Sequence, residues 1–136
     1  MKKIYLIILL FPFFGCVKEV KEQIVEDLVV SAVTNGQWKV TNFTKGGTDI
    51  TADFANYKFQ FYKDNKVDAI NNGSTEKTGS WSADANAQII TTNFVNSVYP
   101  LQLFNGTWHI LNTTWILVNA DMTVNGELKT LRLEKL

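Results

Sequence analysis

Few residues of this chain have side chains suited to chemistry. It contains one cysteine, Cys16, and one histidine, His109, so a zinc site made of several Cys and His ligands and a disulfide within the chain are both excluded. The sequence contains no Gly-x-Ser-x-Gly, no His-Glu-x-x-His and no phosphate-binding glycine loop. We therefore predict that the protein is not an enzyme and has no catalytic residues, no metal site and no cofactor.

The segment Asp49-x-Thr51-x-Asp53 has the spacing of the first half of a calcium-binding loop. It lacks the glycine and the distal glutamate that complete such a loop. We expect instead a helical turn capped by Asp49 or Thr51.

The N-terminus has the layout of a secretory signal peptide. Two lysines precede an apolar run over residues 4–14, which is shorter than the roughly 20 residues that span a bilayer. The run ends in Phe13-Phe14-Gly15-Cys16, which resembles the lipobox of bacterial lipoproteins. This resemblance implies that residues 1–15 are removed and that Cys16 carries acyl chains such as palmitate, which anchor the protein in the outer membrane on its periplasmic or its outer face. The alternatives are an ordinary signal peptide and a buried free thiol at Cys16.

Residues 16–34 would link this anchor to the folded part of the chain. Val20, Ile24 and Leu28 recur at a spacing of four, with charged residues between them, which predicts a helix of two or three turns. An irregular tether is the alternative.

Charge and composition limit the partners. Lys and Arg number 13, Asp and Glu also number 13, and the formal net charge is zero, so no basic field attracts nucleic acid. The chain is 46% hydrophobic and 12% aromatic, which is too apolar for a disordered protein. We expect one folded domain over residues 35–136, a monomer, with no nucleic-acid partner.

From residue 35 onward, apolar and polar residues alternate between turn signals, as is typical of β-strands. Asn-Gly, which suits tight hairpin turns, occurs four times. In the clearest strand, Tyr57, Phe59 and Phe61 share one face, which we expect to point inward.

We predict eight strands, at residues 37–44, 56–63, 66–72, 77–83, 88–95, 106–112, 114–120 and 127–135. Eight strands joined by short turns can close on themselves. The predicted fold is therefore all-β, an eight-stranded antiparallel up-and-down barrel with a short N-terminal helix or tether. A flattened sandwich or a half-open barrel is the alternative. In the first strand, alternation places on one face Trp38, Val40 and Asn42.

Several motifs are similar to those of the lipocalin-like lipoproteins of Gram-negative bacteria. They are Gly36-Gln37-Trp38, which matches the Gly-x-Trp that opens a lipocalin barrel, then Asp49, Thr51 and Phe54, then Gly79-Ser80-Trp81, and the final Leu131-Arg132-Leu133-Glu134-Lys135. The resemblance implies that Trp38 packs beneath an arginine of the last strand, so Trp38 and Arg132 are the expected structural pair. The alternative is that Arg132 lies on the outward face.

Aromatic residues are the candidate lining of a ligand pocket. These are Trp38, Tyr57, Phe59, Phe61, Trp81, Trp108 and Trp115. An eight-stranded barrel either holds a small ligand or is filled by its own side chains. We predict an outer-membrane-anchored, non-enzymatic protein that binds a small hydrophobic or amphipathic ligand in the barrel. The alternative is a solid barrel that acts as an envelope scaffold and binds a protein or glycan through its loops, with an exposed patch at Tyr99, Leu101 and Phe104.

Overall fold

The computed structural model describes residues 27–136. Residues 27–34 form a helix, α1. The strands are β1 (Gln37–Lys45), β2 (Thr48–Asp49), β3 (Tyr57–Phe61), β4 (Lys66–Asn71), β5 (Ser74–Asp84), β6 (Ile89–Asn93), β7 (Gly106–Thr113), β8 (Leu117–Val124) and β9 (Glu127–Lys135). Two short 3-10 helices span Thr51–Phe54 and Leu101–Phe104. The predicted lipidation site, Cys16, lies outside the described residues.

Eight of these strands close into one antiparallel barrel. Each strand from β3 to β9 pairs with the next along the chain, β1 pairs with β3, and β9 returns to pair with β1. The two-residue β2 only extends the end of β1. The pairing of β1 with β9, from Trp38 opposite Lys135 to Lys45 opposite Lys129, closes the sheet. This confirms the predicted up-and-down barrel with a short N-terminal helix, and it excludes the sandwich and the half-open barrel. None of the helices in residues 27–136 combines the length and the apolar character needed to cross a bilayer.

Two of the Asn-Gly pairs form hairpin turns. Asn72-Gly73 joins β4 to β5 and Asn125-Gly126 joins β8 to β9, and all four residues have positive φ, as a type I′ turn requires. The other two pairs, Asn35-Gly36 and Asn105-Gly106, lie where β1 and β7 begin. The four pairs therefore mark strand ends, as predicted.

Three β-bulges interrupt the strand pairing, at Thr41, Glu76 and Leu111. The pairing of β1 with β9 skips Thr41, and beyond this bulge Phe43 points into the barrel and is fully buried. The prediction that Asn42 shares the face of Trp38 is therefore wrong. The pairing of β7 with β8 skips Leu111, whose side chain is exposed.

Aromatic rings fill the barrel from one end, which we call the closed end. The two 3-10 helices cover this end and bury Phe54 and Phe104. Phe54 stacks on Phe43 with ring centroids 4.7 Å apart, and Phe104 stacks on Phe59 at 4.3 Å. Trp108 contacts both Phe43 and Phe104. Large rings in such offset and edge-on contacts bury much apolar area and form a rigid core.

Helix α1 lies against the opposite end, which we call the mouth end. The indole N–H of Trp38 donates to the carbonyl of Val33 at 2.9 Å, and the ammonium of Lys135 donates to the carbonyl of Ala32 at 2.9 Å. Both acceptors lie in the last turn of the helix, where carbonyls have no partner within the helix itself. These bonds fix α1 to the start of β1 and to the end of β9.

Candidate functional site

Six of the seven aromatic residues predicted to line a pocket are core residues. The six buried side chains are Trp38, Tyr57, Phe59, Phe61, Trp81 and Trp108. Phe61 meets Trp81 edge-on with ring centroids 5.4 Å apart, and Tyr57 stacks on Phe59 at 6.2 Å. The void beside Trp38 and Trp108 measures about 20 Å³, room for about one water molecule. These rings fill the barrel instead of surrounding a ligand space, so the prediction of a pocket lined by them is wrong.

Trp115, the seventh residue, is not an interior residue. Strand β8 begins at Leu117, not at residue 114, and residues 114–116 lie in the turn between β7 and β8. The turn is closed by a hydrogen bond from the Thr114 backbone N–H to the Leu117 carbonyl, at 2.8 Å. The Trp115 side chain lies at the tip and is 55% exposed. The prediction that it lines the interior is therefore wrong, because the turn removes it from the strand.

Trp38 contacts a different cation from the one predicted. The ammonium nitrogen of Lys135 lies 4.9 Å from the centroid of the Trp38 ring. Arg132 lies on the outer face of the barrel and pairs with Glu134 at 3.4 Å, because the leucines on either side of it in β9 point inward. The predicted pair of Trp38 and Arg132 is wrong, and the outward-face alternative is correct.

An apolar cleft of about 230 Å³, the mouth cleft, lies between α1 and the ends of strands β5 to β8. Its walls are aliphatic and are formed by Val29, Val33, Ala83, Ile89, Ile90, Ile110, Leu111 and Val118. Its polar lining residues are Asp84, Gln88, Asn112 and Thr113, and Ala85 lies beside them. Apolar walls with a few polar groups are the usual composition of small-molecule sites.

The connection between β5 and β6 shapes one side of the mouth cleft. The Asp84 carboxylate accepts hydrogen bonds from the backbone N–H groups of Asn86 and Ala87, both at 3.0 Å, and so fixes the turn. Gln88 has a positive φ of 56°, and its carbonyl accepts a hydrogen bond from the Ile110 N–H at 2.8 Å. This bond holds the turn against β7, with Ile110 in the wall of the cleft.

A second hollow of about 280 Å³, the side hollow, adjoins the mouth cleft. Val29, Val33 and Thr113 line both spaces, and the side hollow also touches Leu28 and Trp115. Five large apolar side chains at this end are half exposed or more, and we call them the mouth rim. They are Leu28 (51%), Leu111 (55%), Trp115 (55%), Ile116 (65%) and Leu136 (57%).

The ionisable groups of residues 27–136 do not converge on the mouth cleft. His109 is exposed, and its imidazole Nδ1 lies 3.8 Å from the Asp121 carboxylate on the outer surface. Within the described part of the chain, no three His, Cys, Asp or Glu residues are placed to hold a metal ion.

The helical turn predicted near Asp49 is present as the 3-10 helix Thr51–Phe54. Its N-cap is Ile50 and no side chain caps it, so the prediction that Asp49 or Thr51 caps the turn is wrong. The Asp49 carboxylate accepts hydrogen bonds from the Thr51 hydroxyl at 2.6 Å and the Thr51 backbone N–H at 2.9 Å. These bonds lower the pKa of Asp49. The motif serves to hold the chain that covers the closed end.

The loop patch predicted as an alternative interaction surface has a different composition. Leu101 and Phe104 are buried in the core, so the prediction that they are exposed is wrong. Tyr99 is 51% exposed and is accompanied by Val95 and Val98, at 63% and 68%. An apolar patch thus exists at the closed end, and we call Val95, Val98 and Tyr99 the closed-end patch.

A solved structure shares this architecture. The crystal structure of a DUF4847 family protein from Bacteroides vulgatus ATCC 8482, at 1.00 Å resolution, matches with a TM-score of 0.57 and 12% sequence identity, over 78% of this chain and 96% of that chain. At this identity the similarity shows a common fold and nothing further. Comparison with models of protein families and with curated proteins gave no match.

The residues that line the mouth cleft were not predicted from the sequence, although a signal for them exists. Ile89-Ile90 and Ile110-Leu111 are consecutive apolar pairs in strands that otherwise alternate. A pair of this kind presents apolar groups to both faces of the sheet. Two such pairs at the same barrel end indicate an apolar surface outside the core.

Proposed function

We propose that the protein is a membrane-anchored, non-enzymatic binding protein that holds a small apolar or amphipathic molecule in the mouth cleft. The observation that supports this most directly is an aliphatic cleft of about 230 Å³, with a few polar lining residues, at the end of a barrel whose interior is filled. The anchor at Cys16 in the outer membrane is part of the same proposal. It is supported by the motif Phe13-Phe14-Gly15-Cys16.

The cleft limits the size of the ligand and its affinity. Its volume of about 230 Å³ is below the roughly 300–1,000 Å³ of sites for drug-sized molecules. An alkyl segment of about six methylenes would contribute roughly 5 kcal/mol, at about 0.8 kcal/mol per buried methylene. The costs of association reduce this gain. We therefore expect a dissociation constant of about 0.2 mM or weaker for a ligand held by the cleft alone.

The polar lining of the cleft limits the chemistry of the ligand's polar group. It offers the carboxylate of Asp84 and the amides of Gln88 and Asn112, and no lysine or arginine lines it. A ligand carboxylate would face Asp84 without a compensating cation, which disfavours it. The cleft should therefore prefer a neutral amphiphile, such as an alcohol, to a fatty acid of the same length.

The test uses residues 16–136 with Cys16→Ser, because the helix and the whole barrel lie within residues 27–136. N-phenyl-1-naphthylamine, a neutral apolar fluorophore, is titrated, and bound probe is displaced with octanol or octanoate. Ala83→Phe places a ring in the cleft and should lower probe affinity at least tenfold. Val95→Phe, at the exposed closed-end patch, is the matched control and should leave affinity unchanged. Equal binding by the two variants, or no binding by the parent chain, would overturn the proposed site.

Lipidation is tested on the full chain expressed in a Gram-negative host. Mass spectrometry should show loss of residues 1–15 and the added mass of the acyl chains on Cys16, and Cys16→Ser should lack both changes. A mature chain without lipid would refute the anchor and leave the cleft proposal standing.

The closed-end patch supports the second candidate function, an envelope scaffold that binds a protein or glycan through its loops. Val95 and Val98 are more than 60% exposed, which is unusual for neighbouring aliphatic side chains in one loop. This function would be favoured over the first if the parent chain failed to bind the probe and if cross-linking to an envelope partner were lost on Val98→Asp.

A further inference from the structure

We propose that the mouth rim docks on the surface of a phospholipid bilayer, so that the mouth cleft opens toward the lipid phase. The inference rests on the proposed function in two respects, because it names the bilayer as the source of the ligand and uses the proposed anchor at Cys16. Docking itself is a separate property and is measured separately below.

The mouth rim brings together side chains from distant parts of the chain. Leu28 comes from α1, whereas Trp115 and Ile116 come from the turn between β7 and β8. The Ile116 carbonyl accepts a hydrogen bond from the Lys135 N–H at 2.9 Å, and the Leu136 N–H donates to the Gln37 carbonyl at 2.9 Å. These bonds place Ile116 and Leu136 side by side with the start of β1. The exposed apolar groups therefore lie together on one side of the mouth end, and such concentrations mark interaction surfaces.

The chemistry of the rim suits a bilayer interface. No ionisable side chain occurs from Ile110 to Ala120, and Trp115 lies at the tip of the turn. Tryptophan is enriched where a protein meets the interface between headgroups and hydrocarbon. The nearby Lys135 ammonium already bonds the Ala32 carbonyl and covers Trp38, so it is not free to bind a phosphate. We therefore expect docking on a zwitterionic bilayer, without a requirement for anionic lipid.

The path of the chain favours the mouth end over the closed end. The described chain enters the fold through α1, at the mouth end. Cys16 precedes Asp27 by eleven residues, which can span at most about 36–40 Å. When the mouth end faces the bilayer, this length lies directly between anchor and barrel. When the closed end faces the bilayer, the same length must also pass along the whole barrel. The closed-end patch therefore serves as the internal control.

The experiment mixes residues 16–136 carrying Cys16→Ser with phosphatidylcholine vesicles. Trp38, Trp81 and Trp108 are at most 3% exposed, so quenching of tryptophan emission by brominated phosphatidylcholine reports on Trp115. We expect quenching, a blue shift and co-sedimentation with the vesicles. Raising the salt concentration should change the partition coefficient less than about twofold, because screening acts on charged contacts only.

Paired charge variants locate the docking surface. Ile116→Asp with Leu136→Asp should lower the partition coefficient at least 100-fold. The matched pair Val95→Asp with Val98→Asp, of similar exposure, should leave it unchanged. Neither Ile116 nor Leu136 lines the mouth cleft, so the rim variant should still bind N-phenyl-1-naphthylamine in the absence of vesicles.

Three results would overturn the inference. They are absence of vesicle binding by the parent chain, equal loss in both charge variants, and a dimer whose dissociation by Ile116→Asp shows that a second copy covers the rim. Failure of the proposed ligand site would give a different result from failure of bilayer docking. In that case, the parent chain would bind vesicles and its Trp115 would be quenched, but the probe would not bind.

Discussion

Replacing Lys135 with methionine should weaken the attachment of α1 to the mouth end and leave the barrel closed. Methionine keeps an unbranched stem beside Gly36 but loses the ammonium, which donates to the Ala32 carbonyl at 2.9 Å and lies 4.9 Å from the Trp38 ring. A hydrogen bond from a charged donor contributes about 1.5–3 kcal/mol when it is well shielded, and a partly exposed cation–π contact about 0.5–1 kcal/mol. Allowing for partial exposure of Lys135, we expect a loss of about 2 kcal/mol in the free energy of unfolding.

Urea unfolding followed by tryptophan fluorescence measures this loss. With a urea dependence of about 2 kcal/mol per molar, the midpoint should fall by about 1 M. Arg132→Met is the control, since Arg132 is exposed and pairs only with Glu134 at the surface, and its cost should be at most about 0.5 kcal/mol. A larger loss for Arg132→Met than for Lys135→Met would refute the assignment of Lys135 as the cation over Trp38.

Two further predictions concern ionisable groups away from the mouth end. Burial lowers the pKa of Lys129, which faces inward opposite Met122, so Lys129→Met should stabilise the protein by about 1 kcal/mol at neutral pH. Parent stability should rise toward pH 10.5, because the native state releases this proton before the unfolded chain does. The exposed Lys58→Met is the control, and destabilisation by Lys129→Met would contradict the reasoning. Burial is the main cause that raises the pKa of Tyr57 from 10.0 to about 12. The second cause is the Glu76 carboxylate, which accepts a hydrogen bond from the Tyr57 hydroxyl. The parent should therefore lose stability between about pH 10 and pH 12, where the unfolded chain ionises first, and Tyr57→Phe should lose less. If the free energy of unfolding fell equally with pH in the parent and in Tyr57→Phe, the loss could not be assigned to Tyr57.

The barrel could be predicted because most of its strands follow simple local rules. Strand β3 has no bulge, so the alternation of Tyr57, Phe59 and Phe61 identifies the inward face directly. Asn-Gly pairs mark strand ends because both residues tolerate positive φ. Bulges leave no such mark. The extra residue at Thr41 reverses the faces beyond it and buries Phe43, and only the pairing partner in β9 determines where this occurs.

The mouth cleft and the cation over Trp38 were not predicted, because both depend on contacts between distant parts of the chain. Lys135 comes to lie opposite Trp38 only when β9 pairs with β1, and these residues are far apart in the sequence. Once the register of β9 is known, alternation places Arg132 on the outer face, so it cannot be the cation over Trp38. Large aromatic residues indicated a pocket, whereas they fill the core. The mouth cleft is lined by aliphatic residues, and consecutive aliphatic residues in the sequence are a weaker signal than aromatic ones.

Helix α1 controls how the two spaces at the mouth end are connected. Helix α1 covers the mouth end over residues 27–34. It is held by burial of Val33 and by the bonds to Trp38 and Lys135. Because Val29 and Val33 separate the mouth cleft from the side hollow while lining both, displacement of α1 would join the two spaces. Such a movement breaks no strand pairing and exposes none of the rings stacked at the closed end. Under the proposed function, a ligand too large for the mouth cleft would therefore require α1 to detach, with the strand pairing of the barrel unchanged.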